Sequence, residues 1–469
     1  MLTRTRDAVV VLLGSLLVAS PAPPAASVPS SGSFTPTASM GIQRLFPAAA
    51  PLPGALLMIG GQDGMGTSLS SAEVYDPAAG TFSPTGSMGT ARHGPAAAQL
   101  PGGRILVAGG FTAPDTFLSS AEVYDPASGT FSPTGPMGGE RYAAAAAPLP
   151  DGRILVAGGR DSSLTNLASA EIFDPFTDSF TPTGSMGTPR WAPAAAPLPD
   201  GRILVAGGTV DGSSSLSSAE LYDPATGTFT PTGSMGIARR FLAAAPLAGG
   251  EVLVAGGHSG SSLLSSAEVY DPATGAFSAA GVGSMGGARW GPAAARLPDG
   301  RVLVAGGHNG ASFLSSAEIF TQDEFRPDAT IRLGAGPAKG DGIHNVDGTG
   351  QTIGKKTQRR RGKKFVIGVE NDGNVPDSFT VHGPGRTSKR WVVAYVFAGV
   401  NVTSQVRAGA FDFDAAFIDP GGSLSLTLRI KPKSAARPGS RKSVLVTVTS
   451  GADPGEKDAV KAKLTVKRA

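Results

Sequence analysis

Cysteine is absent from the 469-residue chain, and several other residue types are scarce. Without cysteine the protein can form no disulfide bond, no thiolate metal site and no cysteine nucleophile. Aromatic residues make up only 6% and charged residues only 16% of the chain, and long amphipathic helical patterns are hard to find. In contrast, 66 glycines and 38 prolines predict many short strands joined by turns.

The first 27 residues have the pattern of a secretory signal peptide. Arg4 and Arg6 precede an apolar run over 8–19, and small residues follow up to a plausible cleavage site after Ser27. The apolar run is too short to span a bilayer comfortably, although an uncleaved membrane anchor is the alternative interpretation. We therefore expect 1–27 to be removed, leaving a secreted, extracellular or periplasmic protein without a transmembrane segment.

The net charge changes sign along the chain. Residues 1–321 contain 15 Lys and Arg against 22 Asp and Glu, whereas residues 322–469 contain 25 against 14. The balance changes from −7 to +11 at the point where a sequence repeat ends. We therefore expect one domain over 28–325 and a second over 326–469.

One sequence pattern recurs six times with a period of 49 residues, once 50. Its landmark is a pair of glycines, found at Gly60-Gly61, Gly109-Gly110, Gly158-Gly159, Gly207-Gly208, Gly256-Gly257 and Gly306-Gly307. In the copy over 141–186, an alanine-rich strand and a DGR turn precede the strands ILVAGG, AEIFDP and SFTPTG. Four short strands in a unit of about 50 residues predict a β-propeller with six blades.

The last copy lacks its fourth strand. An aromatic residue marks this strand in the other copies, at Phe82, Phe131, Phe180, Phe229 and Phe277. The segment GSFTPTASMG, which contains Phe34, carries the same pattern near the N-terminus. We predict that 34–37 pairs beside 317–320, because this pairing closes the ring and hides two edge strands.

The repeated segment RILVAGG…SSAEVYDPASGTFSPTG, with its following Met and Arg, resembles the kelch motif. It is most similar to the bacterial secreted form, although the family's usual Trp is Phe here. The resemblance implies an all-β, six-bladed kelch β-propeller closed by an N-terminal strand. Kelch enzymes of the copper-radical oxidase group need a cysteine, so that mechanism is excluded. A six-bladed sialic acid mutarotase is the nearer enzymatic relative in architecture, but its isolated catalytic arginine and carboxylate cannot be picked out.

An arginine recurs on the face where the predicted loops vary most. The six copies are Arg44, Arg92, Arg141, Arg190, Arg239 and Arg289. A glutamate begins each third strand, at Glu73, Glu122, Glu171, Glu220, Glu268 and Glu318. The arginines either form a basic ring for an anionic ligand or acidic peptide, or pair with the glutamates to hold neighbouring loops.

Two further positions on this face differ from copy to copy. The residue after the arginine is Leu45, His93, Tyr142, Trp191, Arg240 or Trp290, and the residue after Gly-Gly is Gln62, Phe111, Arg160, Thr209, His258 or His308. Aromatic groups beside basic ones suit a sugar, a peptide or a cell-wall fragment, and ordinary loop packing is the alternative. Our candidate ligand-binding residues are Arg92, His93, Arg141, Tyr142, Arg160, Arg190, Trp191, Arg240, His258, Arg289, Trp290 and His308. His258 and His308 lack a carboxylate at ligand spacing, so we predict no metal site and no cofactor.

Residues 326–469 show alternating strand patterns instead of the repeat, such as FVIGVEN, WVVAYVF and SVLVTVTS. Seven or eight such strands predict an immunoglobulin-like β-sandwich. The run KKTQRRRGKK at 355–364 holds the candidate polyanion-binding residues Lys355, Lys356, Arg359, Arg360, Arg361, Lys363 and Lys364. It is either a patch for an anionic cell-wall polymer or a solvated turn.

The sequence thus favours an exported, monomeric, non-enzymatic binding or adhesion protein. Its expected partner is a protein or glycan on one propeller face, with an anionic cell-wall polymer as a further partner and no nucleic acid. The alternative is a carbohydrate-active enzyme, mutarotase-like or a lyase, that uses the same face.

Overall fold

The structure is a computed structural model. It describes residues 31–323, 327–333, 338–339, 351–357, 361–374, 377–384, 388, 390–398, 400–408, 411, 418, 420, 422–450 and 456–467. The predicted signal peptide and the candidates Arg359 and Arg360 lie outside these residues. No helix in the described part is long and apolar enough to cross a membrane.

Residues 31–323 form strands β1 to β26. The first is β1 (Gly32–Thr37). Sheet 1 contains β2 (Ala48–Leu52), β3 (Ala55–Ile59), β4 (Ala72–Asp76) and β5 (Thr81–Thr85). The next stretch contains β6 (Ala96–Gln99), a 3-10 turn (Pro101–Gly103), β7 (Ile105–Ala108), β8 (Phe111–Thr112), β9 (Thr116–Phe117), β10 (Ala121–Asp125) and β11 (Thr130–Thr134). In it, β6, β7, β10 and β11 form sheet 2, and β8 and β9 form a separate ribbon.

The following three sheets repeat the same plan. Sheet 3 contains β12 (Ala145–Pro148), β13 (Ile154–Ala157), β14 (Ala170–Asp174) and β15 (Ser179–Thr183). Sheet 4 contains β16 (Ala194–Pro197), β17 (Ile203–Ala206), β18 (Ala219–Asp223) and β19 (Thr228–Thr232). Sheet 5 contains β20 (Ala243–Pro246), β21 (Val252–Ala255), β22 (Ala267–Asp271) and β23 (Ala276–Ser278). The four strands predicted in the copy over 141–186 are confirmed by sheet 3.

Sheet 6 combines the two ends of this region. It contains β24 (Ala293–Arg296), β25 (Val302–Ala305), β26 (Ala317–Gln322) and, as its fourth strand, β1. Phe34 lies opposite Phe320 and Thr37 opposite Ala317 in an antiparallel pair. The predicted pairing of 34–37 with 317–320 is therefore confirmed, and β26 is not left as an open edge.

The first strands of the six sheets lie side by side around an axis. They contact one another in the cyclic order β2, β6, β12, β16, β20, β24 and back to β2. Their inner residues are alanines, and Ala50, Ala147 and Ala245 are each about 1% exposed. Alanine fits this position because six converging strands leave little volume at the axis.

Neighbouring sheets share hydrophobic cores that include the repeated aromatic residue of the fourth strand. Phe82 of sheet 1 packs against a cluster that contains Leu303 and Ile319 of sheet 6. Its ring also lies 4.8 Å from that of Tyr75 on the adjacent strand. Thr37 and Tyr75 join the two sheets further through a 2.8 Å hydrogen bond between their hydroxyl groups.

The described residues between 327 and 467 contribute two further sheets. Their elements are β27 (Pro327–Arg332), β28 (Thr352–Thr357), β29 (Lys363–Asn371), β30 (Phe379–His382), β31 (Trp391–Phe397), β32 (Val400–Asn401), helix α1 (Thr403–Ala408), β33 (Ser423–Pro432), β34 (Arg441–Ser450) and β35 (Lys457–Val466). One sheet has the order β27-β29-β33-β31-β32 and the other β28-β35-β34-β30. Both contribute to one core, in which Phe365 and Leu428 of the first sheet join Val446 and Leu464 of the second.

Candidate functional site

The repeated arginines form a buried layer of ion pairs. Each arginine pairs with the glutamate of the third strand in the sheet that follows it, at 2.9–3.1 Å between Nη2 and Oε1. The six pairs are Arg44–Glu73, Arg92–Glu122, Arg141–Glu171, Arg190–Glu220, Arg239–Glu268 and Arg289–Glu318. The side chains of these arginines are at most 4% exposed.

Arg44 shows how one pair organises its loop. Its Nη1 donates to the carbonyl oxygens of Gly60 at 2.7 Å and Ser71 at 2.9 Å. Glu73 accepts a 2.7 Å bond from the backbone N–H of Gly41. Burial lowers the pKa of Arg44, while the hydrogen bond to Glu73 raises it. Removing one partner of such a buried pair typically costs about 3–5 kcal/mol.

The glycine pair is explained by the same contacts. Gly61 has a φ of +97° and donates its N–H to the carbonyl oxygen of Arg92 at 2.8 Å. A Cβ on Gly60 would collide with that carbonyl oxygen. The Gly-Gly pair therefore allows each sheet to approach the arginine of the next repeat.

Four of the candidate ligand-binding residues belong to this buried layer. Arg92, Arg141, Arg190 and Arg289 are 0–4% exposed, and none of them lines the cavity described below. Their guanidinium groups already bond to glutamate and carbonyl oxygens, so they are not available to a ligand. The structure thus supports the Arg–Glu interpretation of this ring and not the basic ring.

The two variable positions are adjacent in space in every repeat. An isolated antiparallel bridge joins the residue after the arginine to the residue after Gly-Gly. The six bridged pairs are Leu45–Gln62, His93–Phe111, Tyr142–Arg160, Trp191–Thr209, Arg240–His258 and Trp290–His308. Sequence positions about 18 residues apart in each copy, such as His93 and Phe111, therefore form one surface.

A closed ring of six backbone hydrogen bonds supports this surface. In it, Phe46 donates to Gly291, Gly94 to Phe46, Ala143 to Gly94, Ala192 to Ala143, Phe241 to Ala192 and Gly291 to Phe241, at 2.8–3.1 Å. All six residues have a positive φ, between 50° and 65°. Non-glycine residues seldom adopt this conformation, and here the bonds to both neighbours hold it in place. The ring directs the side chains of Phe46 and Phe241 into the cavity that it supports.

A cavity of about 340 Å³ opens above this ring. Six of the candidate residues line it, namely His93, Tyr142, Arg160, Trp191, Arg240 and Trp290. The sequence-based site omitted the other six lining residues, which are Phe46, Phe111, Phe117, Leu164, Gly212 and Phe241. Phe46 and Phe241 stand two residues after a repeated arginine, where other copies have Gly or Ala. That irregularity is the signal that could have revealed them.

Most of the cavity wall is aromatic and continuous. The centroids of successive rings from Phe111 through His93, Tyr142 and Trp191 to Phe241 are 5.0–5.9 Å apart. Phe46, Phe241 and Trp290 contact one another at 4.7–5.4 Å. Such a wall can stack on the flat or apolar face of a ring-containing ligand.

Two arginines supply the positive charge of the cavity. The guanidinium carbon of Arg160 lies 4.6 Å from the ring centroid of Trp191, and its Nε donates to the carbonyl oxygen of Leu164 at 3.0 Å. Arg240 donates through Nη1 to the carbonyl oxygens of Gly212, at 2.7 Å, and Ser213. Within residues 31–323 neither arginine forms an ion pair, and no Asp or Glu lines the cavity.

His93 adds a neutral polar group to the wall. It is 7% exposed, and burial lowers its pKa to about 4. Its Nδ1 lies 2.9 Å from the hydroxyl oxygen of Ser68, which accepts the N–H of Ala113 and lies 3.5 Å from the carbonyl oxygen of Phe111. These contacts hold the neutral imidazole of His93 beside the Ser68 hydroxyl.

His258 and His308 lie beside the cavity in the variable loops but do not line it. Nδ1 of His258 accepts the N–H of Gly260 at 2.8 Å, and Nδ1 of His308 accepts the N–H of Gly310 at 3.0 Å. Burial and the charge of Arg240 lower the pKa of His258. The described residues contain no group of three His, Asp or Glu side chains placed to hold a metal ion.

The described residues of the basic run do not all lie on one sheet. Lys355 and Lys356 lie in β28, at the edge of one sheet, whereas Lys363 and Lys364 begin β29 in the other sheet. The backbone oxygen of Arg361 accepts a 2.8 Å bond from the hydroxyl of Thr357. The described residues of the run therefore divide between two sheets.

Comparisons with known proteins agree with this geometry. Five segments match the kelch motif, over residues 43–89, 92–138, 141–187, 190–236 and 239–281. The chain carries kelch motif repeats. Each matched segment begins within one residue of a repeated arginine, so five of the six buried ion pairs lie within segments that match the kelch motif.

One solved structure with a similar fold is that of YjhT. The two chains superpose with a TM-score of 0.51 at 10% sequence identity, over 64% of this chain and 98% of that one. At this identity the likeness shows the fold alone. No curated protein matches the chain. The kelch repeats and this likeness establish a kelch propeller fold.

Proposed function

We propose that the protein is an exported, non-enzymatic binding protein that holds an acidic carbohydrate in the cavity of its kelch propeller. The observation that carries this proposal is the composition of the cavity wall. Arg160 and Arg240 contribute positive charge without a paired carboxylate, and the surrounding rings offer stacking surfaces. A sugar bearing a carboxylate would meet both properties, since arginine binds carboxylates through two parallel hydrogen bonds.

The architecture that we propose has six blades closed by β1, followed by an immunoglobulin-like β-sandwich. Six four-stranded sheets over 31–323, the cyclic contacts of their first strands and the ring of backbone bonds support the six-bladed propeller. Two sheets around one core support the sandwich. We place the propeller at 28–325 and the sandwich at 326–469, with the signal peptide at 1–27.

Binding is favoured over catalysis by the titratable groups of the cavity. Proton transfer at neutral pH is most efficient when the acid or base has a pKa near that pH. Burial lowers the pKa of His93 to about 4 and raises that of Tyr142 well above its usual value. Both groups therefore stay neutral near pH 7, where they can hold a ligand through hydrogen bonds. The alternative is a mutarotase-like or lyase activity that acts on an acidic sugar in the same cavity.

The test is a glycan and peptide array probed with the mature chain, followed by titration of the best acidic glycan. We expect Arg160→Gln with Arg240→Gln to weaken binding at least about 30-fold, since a charge-assisted bond contributes about 1.5–3 kcal/mol. The matched control is Arg153→Gln with Arg202→Gln. These two arginines are 37% exposed and pair with Asp151 and Asp200 in the hairpin turns.

The control should leave affinity unchanged. Equal binding of the neutral form of the same glycan, or equal loss of affinity in both double variants, would contradict the proposal. Turnover of the bound sugar, followed by NMR of its anomers and products, would replace the binding assignment with the enzymatic alternative.

A further inference from the structure

A group of four basic side chains surrounds Thr465 on the sheet formed by β28, β35, β34 and β30. In the register of this sheet, Thr465 lies beside Lys356 of β28 on one side and Arg441 of β34 on the other. Lys463 and Lys467 lie two residues before and after it on its own chain segment. Adjacent strands are about 4.8 Å apart and alternate residues about 6.6 Å apart, so the four charges are close neighbours.

All four side chains lie on the outer face of the sheet. Leu464 and Val466 contribute to the hydrophobic core between the sheets, so Thr465 and the residues two positions away point to the opposite side. Val444 belongs to the same core, which places Arg441 on the outer face as well. Lys356, Arg441, Lys463 and Lys467 are all exposed, and Thr465 is half-buried.

No carboxylate offsets this charge at that end of the described sheet. Asp458 lies in β35 but at its opposite end, where it is fully buried and accepts the backbone N–H of Ala329 at 2.8 Å. The turn that precedes β34 contains a further basic residue, Arg437, whose carbonyl oxygen accepts the N–H of Ser440. Four like charges around one hydroxyl repel one another, and this repulsion is relieved when an anion binds among them.

We infer that this basic quartet (Lys356, Arg441, Lys463 and Lys467) binds a linear polymer that carries phosphate or sulfate groups. A polymer is favoured because the charges extend both along β35 and across three strands, which matches successive anionic groups more closely than one isolated ion. This inference does not depend on the proposed function of the propeller cavity, which lies in a different part of the chain.

Two observations favour a hydrophilic polyanion over other anionic partners. The exposed large hydrophobic residues among those described are all within 31–323, so none stands beside the quartet to enter a membrane. The other outer positions between these basic residues are Gly354, Ser443 and Thr465, which provide no aromatic ring for stacking on bases. Recognition therefore rests on charge and hydroxyl contacts.

The structure also supplies a matched control on the other sheet. Arg429 and Lys431 lie two residues apart on β33, and Arg332 of β27 lies opposite Val366 of β29, which pairs with Thr427 of β33. These three basic side chains are exposed on the outer face of their own sheet. The triple variants K356Q/R441Q/K463Q and R332Q/R429Q/K431Q thus remove three positive charges each, with the same change in net charge.

The experiment measures binding of the full-length protein to inorganic polyphosphate and to dextran sulfate, with neutral dextran as the blank. We expect K356Q/R441Q/K463Q to reduce affinity about tenfold or more at about 50 mM salt and to lower the slope of log affinity against log salt by about 2. The control triple variant should bind within about twofold of the parent. Thermal unfolding should be the same for all three proteins, because the substituted side chains are exposed.

Three results would overturn the inference. One is an equal loss of binding in both triple variants, which would show that only net charge matters. Another is tighter binding to phosphatidylglycerol vesicles or to single-stranded DNA than to either polymer. The third is unchanged binding in K356Q/R441Q/K463Q. If that triple variant does not fold, the single variants K463Q and K431Q are compared instead. We expect K463Q to bind the polymers two- to threefold more weakly than the parent and K431Q to bind them as the parent does.

Discussion

The buried arginine layer and the cavity wall differ in function although they are adjacent along the chain. Arg239 is 0% exposed and bonds to Glu268 at 3.1 Å, whereas Arg240 lines the cavity and forms no ion pair within 31–323. The two residues have the same side chain and are joined by one peptide bond. Their difference shows that position in the repeat decides what an arginine does in this protein.

The same contrast holds around the ring. The arginine that recurs in every copy forms a buried ion pair and holds the loop against its sheet. The next residue is one of five different types in the six copies, with only Trp occurring twice, and it lines the cavity in five of them. The repeat therefore provides a uniform framework, and the variable positions on it determine the chemistry of the site.

The largest effect should come from breaking the framework at its closure. Deleting residues 33–40 removes β1, exposes the edge of β26 and takes Phe34 away from Phe320, whose ring centroid is 5.0 Å distant. We expect a loss of more than about 4 kcal/mol in the free energy of unfolding, measured by urea denaturation. A truncated protein that unfolds at the same urea concentration as the parent would show that β1 does not stabilise the ring.

The adjacent arginines allow a direct comparison of framework and cavity wall. Arg239→Gln should lower the free energy of unfolding by about 3–5 kcal/mol, because Glu268 would be left buried without its partner. Arg240→Gln should cost about 1 kcal/mol, since it loses only its bonds to the carbonyl oxygens of Gly212 and Ser213. Urea denaturation of both variants measures the difference. Similar losses in the two would refute the division between framework and wall.

A modest effect, confined to acidic pH, should come from the titration of His93. Its pKa is about 4 in the folded protein against an ordinary value of 6.5, so the unfolded chain binds a proton more readily. The stability that this group contributes is complete above pH 6.5 and is lost as the pH falls towards 4. Between pH 7 and 5 the parent should lose on the order of 1–2 kcal/mol more than His93→Gln. The measurement is the free energy of unfolding of both proteins as a function of pH. If the two curves run parallel, His93 is not buried as a neutral group.

The framework was largely predictable from the sequence. The spacing of Gly60-Gly61 and its five counterparts located the six four-stranded sheets of 31–323, and the pattern around Phe34 identified the strand that pairs with β26. These features are local, since turn chemistry and strand alternation depend on residues within a few positions. The strand patterns of 326–469 were visible for the same reason, and the structure places strands there.

The candidate site was only partly predictable. Sequence position alone could not separate Arg92, which is buried, from Arg160, which lines the cavity, because both occur in loops on the same face. Phe46 and Phe241 were missed because their direction depends on a positive φ held by hydrogen bonds between different sheets. Likewise, the basic run looked continuous at 355–364, but strand pairing separates Lys356 from Lys364.

The sequence by itself determined the number of repeated units, the order of strands within each and the residues that vary on one face. Each of these follows from periodicity, because a residue at a given place in the repeat meets the same local environment each time. Only the tertiary structure decided which variable residues meet, since a cavity at the axis combines side chains from sheets that are far apart in the chain. It also decided which charges are available, because burial and a paired carboxylate occupy one arginine and leave its neighbour open to a ligand.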